Sequence, residues 1–172
     1  MLTLDLGNSS ASVARVGPGG AERLAACKVG ELDASILGGC LERAAACGER
    51  PRLAAVSAVG TLSEEHRLRG LLEGLGLTVA VNPDAGLELR LDHPETCGRD
   101  RLYGARGALE QLGRGPRPAG VLVVDAGTAV TVDAVLPTAE GGAFLGGAIA
   151  PGPGTLSEGL TRAGARLPDF SI

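Results

Sequence analysis

The sequence predicts an α/β protein of two lobes, each of which starts with three strands and a helix. A strand that ends in Asp-x-Gly opens the chain at residues 2–7 and returns at residues 121–127. Short apolar strands alternate with helix-spaced segments, and a Gly- and Pro-rich stretch at residues 113–120 separates the two copies. We therefore predict a first lobe over residues 1–115 and a second lobe over residues 116–172.

Apolar and helical periodicity gives the elements of the first lobe. Three strands are predicted at Leu2–Leu6, Ala11–Val16 and Ala21–Val29, followed by a helix over Glu31–Cys47. A buried strand then starts at Arg52. The tetrapeptide TLSE places Glu64 three residues after Thr61, which is the spacing of a capping box and predicts a helix start. Another buried strand starts at Leu77.

The rest of the chain repeats this pattern after a polar interval. Residues 82–101 are expected to form a long irregular loop, and a helix is expected over residues 99–112. The Gly- and Pro-rich stretch at residues 113–120 is interpreted as a hinge. Three further strands follow, and TLSE recurs at Thr155–Glu158, which predicts a second capping box and a helix that runs toward Arg166.

Composition excludes several classes of function. The 172 residues are 44% hydrophobic but only 2% aromatic, so Leu, Val and Ala must fill the core, and the net charge is −4. The sequence has no run of Lys or Arg of the kind that forms a nucleic-acid surface. No apolar stretch reaches the roughly 18 residues of a membrane span. The N-terminus lacks the basic region of a signal peptide. We expect a cytoplasmic protein whose four cysteines are buried, reduced thiols.

The two Asp-x-Gly hairpins are the first candidate site. Aligning them places Asp5 on Asp125, Gly7 on Gly127, Asn8 on Thr128, Ser9 on Ala129 and Ser12 on Val132. Backbone N–H groups and small hydroxyls in such turns suit phosphate oxygens. The Asp would repel a phosphate unless a cation lay between them, which points to Mg²⁺ or a monovalent cation. The alternative is a plain tight turn with an Asx hydrogen bond.

Two other segments are candidate sites. In CGRDRLYGARGA, residues 97–108, Asp100 lies between Arg99 and Arg101 where the loop becomes a helix. An ionised Asp there could accept a proton from a substrate hydroxyl, and Arg101 could hold an anionic group. The alternative is an Asp favoured by the helix dipole. In residues 146–160, a glycine-rich strand end and a helix start could line a nucleotide site, or form an ordinary turn.

In their order along the chain, these motifs resemble those of the type III pantothenate kinases, a family of the acetate and sugar kinase, Hsp70 and actin superfamily. The matching segments are DLGNS at residues 5–9, GRDR at 98–101, DAGTAVT at 125–131, GGAIAPG at 146–152 and RLP at 166–168. The resemblance implies two ribonuclease H-like lobes, of the actin-like ATPase type. It also implies ATP-dependent phosphorylation of pantothenate to 4'-phosphopantothenate, the first step of coenzyme A biosynthesis.

The resemblance also assigns roles to residues. The ATP phosphate loop would comprise Asp5, Leu6, Gly7, Asn8, Ser9, Ser10, Ala11 and Ser12, with Asp5 near Mg²⁺, directly or through water. Thr128 would contact ATP, and Asp125 would bind the monovalent cation, K⁺ or NH₄⁺. Pantothenate would contact Gly98, Arg99, Asp100 and Arg101, with Asp100 as the catalytic base. Members of the family are homodimers, so we expect a homodimer.

The chain departs from the family pattern at several places. Leu91 stands where the family has a Tyr that lines the pantothenate pocket, and Arg99 stands where it has an Ala. Family members also continue past the Leu-Pro motif, so the second lobe is expected to be incomplete. The alternative function is a non-catalytic, pantothenate-kinase-like accessory protein in gene regulation. A third interpretation is a kinase of the same superfamily that acts on another small alcohol.

Overall fold

A computed structural model describes residues 1–7, 9–112 and 118–163 of the chain. It divides into two compact units, Met1–Asp84 and Ala85–Ile172. The predicted lobe boundary between residues 115 and 116 stays a prediction. Most of the predicted hinge, at residues 113–117, lies outside the described residues, as do Asn8 and residues 164–172.

The first unit is a five-stranded sheet with two helices. The strand order is β3-β2-β1-β4-β5, in which β1, β2 and β3 form an antiparallel meander and β4 and β5 run parallel to β1. Its elements are β1 (Leu2–Leu6), β2 (Ser10–Gly17), β3 (Gly20–Lys28), α1 (Ala34–Ala46), β4 (Leu53–Ala58), α2 (Leu62–Gly74) and β5 (Thr78–Val81).

Two caps fix where the helices of this unit begin. The Asp33 carboxylate accepts a hydrogen bond from the Ile36 N–H at 2.9 Å, so α1 starts at Ala34 rather than at the predicted Glu31. A short 3-10 turn at Val29–Glu31 fills the interval. The capping box predicted at Thr61 is confirmed, because Thr61 and Glu64 exchange side-chain to backbone hydrogen bonds at the start of α2.

The core of the first unit is aliphatic and lies on one face of the sheet. Leu2, Leu4 and Leu6 alternate with exposed or half-buried residues along β1, as expected for a strand covered on one side. They pack in one cluster with residues of both helices, among them Leu37, Leu41, Leu68 and Leu72. Each buried leucine contributes roughly 1.5–3 kcal/mol of transfer free energy. The opposite face of β1 therefore remains for polar residues.

The second unit is a four-stranded sheet in the order β6-β9-β8-β7. Strands β7, β8 and β9 form an antiparallel meander, and β6 pairs with β9 in parallel. Its elements are β6 (Glu88–Leu89), α3 (Arg99–Leu112), β7 (Val121–Ala126), β8 (Ala129–Leu136), β9 (Ala143–Pro151) and α4 (Pro153–Ala163), with a 3-10 turn at Pro94–Thr96.

A small core joins α3 to one face of this sheet. Leu102 and Ala105 of α3 pack with Val135 of β8 and Phe144 of β9. The other face of β7 is open, because Leu122 and Val124 are 70% and 64% exposed. Residues 82–101 are less irregular than predicted. Strand β6 pairs there with β9, and Leu87, Leu89 and Leu91 pack against the core.

The predicted fold class is confirmed. Both units are α/β, and each contains an antiparallel three-strand meander followed by a helix, α1 in the first unit and α4 in the second. The four cysteines are unpaired, but the expectation of buried thiols holds for Cys40 alone, since Cys47 is exposed and the other two are half-buried. Across the part of the chain that is described, no helix is long and apolar enough to cross a membrane.

Candidate active site

The first hairpin places Asp5 at the end of β1 on the polar face of the sheet. The turn closes through a hydrogen bond from the Gly7 N–H to the Ser10 carbonyl, 2.9 Å long. Asp5 is exposed, whereas Leu6 and Ala11 are almost fully buried. Leu6 and Ala11 therefore belong to the core of the first unit. Asn8 lies outside the described residues.

A row of oxygen-bearing side chains crosses three strands at Asp5. Ser12 of β2 is its antiparallel partner, and Ser57 of β4 is its parallel partner. Residues opposite one another on neighbouring strands project from the same face of the sheet. The hydroxyl oxygen of Ser57 is buried and has no hydrogen-bond partner within the described residues. Such an atom can accept or donate a hydrogen bond to a water or a ligand group, or bind an ion.

The second hairpin has the same plan but a shorter loop. Its turn closes through a hydrogen bond from the Gly127 N–H to the Ala129 carbonyl, 2.8 Å long. Three residues, 127–129, separate the paired Ala126 and Val130, whereas residues 7–10 separate the corresponding pair in the first hairpin. The shorter loop shifts the second strand by one residue relative to Asp125.

This shift corrects the alignment made from the sequence. Ser12 faces Asp5 across the first hairpin, and Thr131 faces Asp125 across the second. The predicted match of Ser12 with Val132 is therefore wrong, because an ungapped alignment ignores the one-residue difference in loop length. Each unit thus has an Asp at the end of its first meander strand with a hydroxyl directly opposite.

The tip of the second hairpin is bound to the start of α4. The Thr128 carbonyl accepts hydrogen bonds from the Gly152 N–H at 2.9 Å and from the Thr155 hydroxyl at 2.7 Å. The prediction that Thr155 caps this helix is wrong. The helix starts two residues earlier, at Pro153, because proline is favoured at the first helical position. The Thr155 side chain therefore fastens the helix to the hairpin.

The third candidate segment begins α3. Helix α3 starts at Arg99, so the carboxylate of Asp100 lies in its first turn, and both residues are exposed. A Cβ atom on Gly98 would lie 2.4 Å from Oδ1 of Asp100. The Asp100 carboxylate therefore lies over Gly98 in this conformation. The two residues form one local unit at the loop-to-helix junction.

Arg101 makes a buried ion pair with Asp133, a residue that the sequence interpretation did not select. The Nε group of Arg101 donates to Oδ1 and Oδ2 of Asp133 at 3.0 and 3.2 Å, and its Nη2 group also donates to Oδ1. The guanidinium carbon lies 5.8 Å from the centre of the Phe144 ring. Asp133 is 1% exposed, and its hydrogen bond raises the pKa of Arg101 further.

A pocket of about 200 Å³ adjoins this ion pair within the second unit. Its lining comprises Leu91, Asp92, His93, Thr96, Cys97, Arg101, Phe144, Gly146 and Gly147. Burial raises the pKa of the Cys97 thiol, with a smaller opposing effect from Arg101. The pocket thus brings together Leu91, the position of the expected tyrosine, and Arg101 of the GRDR segment.

The full chain, residues 1–172, matches the family model described as type III pantothenate kinase. The chain belongs to the type III pantothenate kinase family. Among its relatives, the type III pantothenate kinase of Halorhodospira halophila is 37% identical over 99% of the chain and 67% of the relative. That of Thermus thermophilus is 39% identical over 71% of the chain and 47% of the relative. The chain therefore spans about two thirds of the first relative and about half of the second.

Solved structures show a weaker likeness. YeaZ from Pseudomonas aeruginosa is 17% identical, with a TM-score of 0.43 over 87% of this chain and 68% of that chain. The family membership and the strand order, rather than this likeness, establish the type of fold.

Two residues of the candidate site were not selected from the sequence, and each had a signal. Asp133 alternates with Thr131 and Val135 along β8, so all three project from one face of the strand. A charged residue in register with core positions indicates a buried ion pair, and Arg101 was an available partner. Ser57 gave a weaker signal, because its alignment with Asp5 depends on which strands become neighbours in the sheet.

Proposed function

We propose that the chain phosphorylates the primary hydroxyl of pantothenate with ATP as the phosphate donor. Family membership over the whole chain supports this activity. The structural observation that carries it is the repeated arrangement of an Asp with a hydroxyl directly opposite, at Asp5 and at Asp125. Two such oxygen-lined strand ends suit a reaction whose charged groups are phosphates and cations.

The residues present fit the cations that the family implies. Hard cations such as Mg²⁺ bind oxygen ligands, carboxylates among them, and Asp5 and Ser12 of the first hairpin and Ser57 of the neighbouring β4 supply carboxylate and hydroxyl oxygens. The unpaired Ser57 hydroxyl is consistent with an absent ion, water or phosphate oxygen. Asp5 would hold Mg²⁺ directly or through water, and Asp125 would hold K⁺ or NH₄⁺. When bound, these ions neutralise negative charge on the phosphates.

The remaining roles belong to the chain itself. The Gly7 to Ser12 loop and Thr128 would bind the phosphates of ATP, and Gly98 to Arg101 would bind pantothenate. Asp100 would accept the proton of the pantothenate hydroxyl as its oxygen forms a bond to the γ-phosphorus and the bond to the ADP oxygen breaks. Arg101 would orient an anionic group of the substrate. We further propose a cytoplasmic homodimer, as in the family.

A coupled assay with ATP, pantothenate, Mg²⁺ and K⁺ tests this proposal. Wild type should turn over, and Asp100→Asn should lower kcat by about 10²- to 10⁴-fold, the usual contribution of a general base. Glu95→Gln is the matched control, because Glu95 is an exposed carboxylate in the 3-10 turn that precedes α3. It should leave kcat unchanged.

Calorimetry then separates the steps. Asp100→Asn should still bind ATP with wild-type affinity, since the substitution changes no proposed nucleotide contact. An absence of turnover in the wild-type chain would contradict the proposed activity. Equal rates for Asp100→Asn and wild type would instead remove Asp100 from its role as base.

A further inference from the structure

The Arg101–Asp133 ion pair is the only side-chain ion pair among the described residues in which the acid is almost fully buried. The Asp133 side chain is 2% exposed and that of Arg101 is 19% exposed. A buried charge without a partner is strongly unfavourable, so the two groups must remain together in the folded chain. In the other described ion pairs the side chain of the acid is at least 20% exposed.

The geometry holds the guanidinium group from two directions. The Asp133 carboxylate accepts hydrogen bonds from Nε and Nη2 of Arg101, and the guanidinium carbon lies over the Phe144 ring. Arginine loses little further freedom in such a fork-shaped contact because its group is planar. Nη1 is then the one guanidinium nitrogen that Asp133 does not engage.

A glycine in the neighbouring strand leaves room for the Asp133 carboxylate. Gly147 of β9 is the strand partner of Asp133. A Cβ atom at Gly147 would lie 1.9 Å from the Val132 carbonyl oxygen and 2.7 Å from Oδ1 of Asp133. A larger residue would therefore displace the carboxylate. Gly147, Phe144 and Arg101 of the ion pair all line the same 200 Å³ pocket.

We propose that Asp133 is a positioning residue for substrate binding. It holds Arg101 at the pocket so that Nη1 meets the anionic group of the substrate, which for the proposed activity is the pantothenate carboxylate. This inference rests on the proposed function. Because Asp133 already balances the charge of Arg101, the pair recognises an anion by directed hydrogen bonding more than by net charge. Asp133 itself touches no reacting atom.

The test compares four variants of the full chain with wild type. Asp133→Asn removes the charge but keeps one acceptor oxygen, and Arg101→Lys keeps the charge but removes the fork-shaped contact. The double variant reports whether the two act as one unit. Glu110→Gln is the matched control, because Glu110 pairs with Arg106 on the same helix but is exposed. Arg101→Lys leaves Asp133 with a cationic partner, which protects the test if Asp133→Asn folds poorly.

Two measurements are made. The first, on wild type, Asp133→Asn and Glu110→Gln, is hydrogen exchange of the Arg101 Nε–H by nitrogen-15 NMR, which should be slow in wild type and in Glu110→Gln and fast in Asp133→Asn. The second is affinity for pantothenate and for ATP. Pantothenate affinity should fall about 10- to 100-fold in Asp133→Asn and in Arg101→Lys, as when a group that orients a binding side chain is removed. ATP affinity should stay within about twofold of wild type. The double variant should bind pantothenate no more weakly than the single variant with the lower pantothenate affinity.

The outcomes separate this inference from the proposed function. A protected Arg101 resonance in Asp133→Asn would overturn it, as would a loss of pantothenate affinity no larger than that of Glu110→Gln. An equal loss of pantothenate and ATP affinity would indicate a structural role only and would also overturn it. If wild type binds ATP but no pantothenate, the proposed substrate fails, and with it the anionic group assigned to Nη1, whereas the resonance still decides whether Asp133 holds Arg101.

Discussion

The two units contain the same strand meander and helix but distribute charged and apolar residues differently. In Met1–Asp84 the core is aliphatic, and Asp5 lies on the exposed polar face of its sheet. The buried polar side chains among the described residues are Thr131, Asp133 and Ser157, all of which lie in the second unit. That unit also has the open apolar strand face at Leu122 and Val124.

This difference separates the features that both units share from those found in one unit only. Both units have an Asp with a hydroxyl opposite at the end of the first meander strand, so this feature belongs to the plan itself. The buried ion pair belongs only to the unit that carries the GRDR segment. In the first unit, β1 buries Leu2, Leu4 and Leu6 on one face and carries Asp5 on the other. The second unit places a charge in its core, next to the pocket.

The largest expected contrast lies in the strands that start the two meanders. Leu4→Ala removes a side chain that is 3% exposed and should lower the free energy of unfolding by about 2–5 kcal/mol. Leu122→Ala removes one that is 70% exposed and should change it by no more than about 0.5 kcal/mol. Urea unfolding of both variants measures the difference.

Equal losses in the two variants would contradict this contrast. Such a result would mean that the Leu122 face is covered in solution, for instance by a second copy of the chain. Repeating the Leu122→Ala measurement over a tenfold range of protein concentration would distinguish the two situations, since only association makes stability depend on concentration.

An intermediate contrast lies in the glycines beside the two hairpins. A Cβ atom at Gly152 would lie 2.0 Å from the Gly127 carbonyl oxygen, and neither backbone group can move without disturbing the hairpin. At Gly60 the nearest atom is Oε2 of Glu64 at 3.0 Å, the end of a flexible side chain. Gly152→Ala should cost about 1–3 kcal/mol, whereas Gly60→Ala should cost less than about 1 kcal/mol.

The urea midpoints of the two variants provide the measurement, and ATP affinity provides a second one. Gly152→Ala should weaken ATP binding, because Gly152 fastens the hairpin that carries Thr128. If Gly152→Ala is as stable as Gly60→Ala, then the second hairpin must be free to move away from α4. The bond from the Gly152 N–H to the Thr128 carbonyl would then be dispensable.

Much of the fold could be predicted from local patterns. The bounds of β1 and α3 and the capping box at Thr61 agree with prediction, because alternation, helical spacing and caps act within a few residues. The loop difference between the hairpins could not be predicted, since strand register depends on turn geometry. The partner of Arg101 was missed for a similar reason: its ion pair with Asp133 joins residues 32 positions apart.

The repeated TLSE segment shows the limit of local patterns most directly. The same four residues form a capping box at Thr61–Glu64 but lie inside the first turns of α4 at Thr155–Glu158. The difference is the preceding proline: Pro153 starts α4 before Thr155 can cap it, whereas no proline precedes Thr61 nearby. Two identical segments can therefore occupy different positions in a helix, because the residues before them decide where the helix starts.

The smallest expected contrast uses the two glutamates of these repeats. Glu64→Ala should lower the free energy of unfolding by about 0.5–1 kcal/mol, because Glu64 accepts a hydrogen bond from the Thr61 N–H at 3.2 Å at the start of α2. Glu158→Ala should change it by less than about 0.5 kcal/mol, because Glu158 only pairs with the exposed Arg162 one turn later.

Urea midpoints in low salt and in about 0.5 M salt measure the effects of both substitutions. Salt should abolish any effect of Glu158→Ala and leave most of the Glu64→Ala effect, since a cap is a directed hydrogen bond and a surface ion pair is screened. A loss for Glu158→Ala that equals the Glu64 loss and resists salt would mean that the second TLSE caps a helix in solution, and the start of α4 would then have to move from Pro153 to the residue after Thr155.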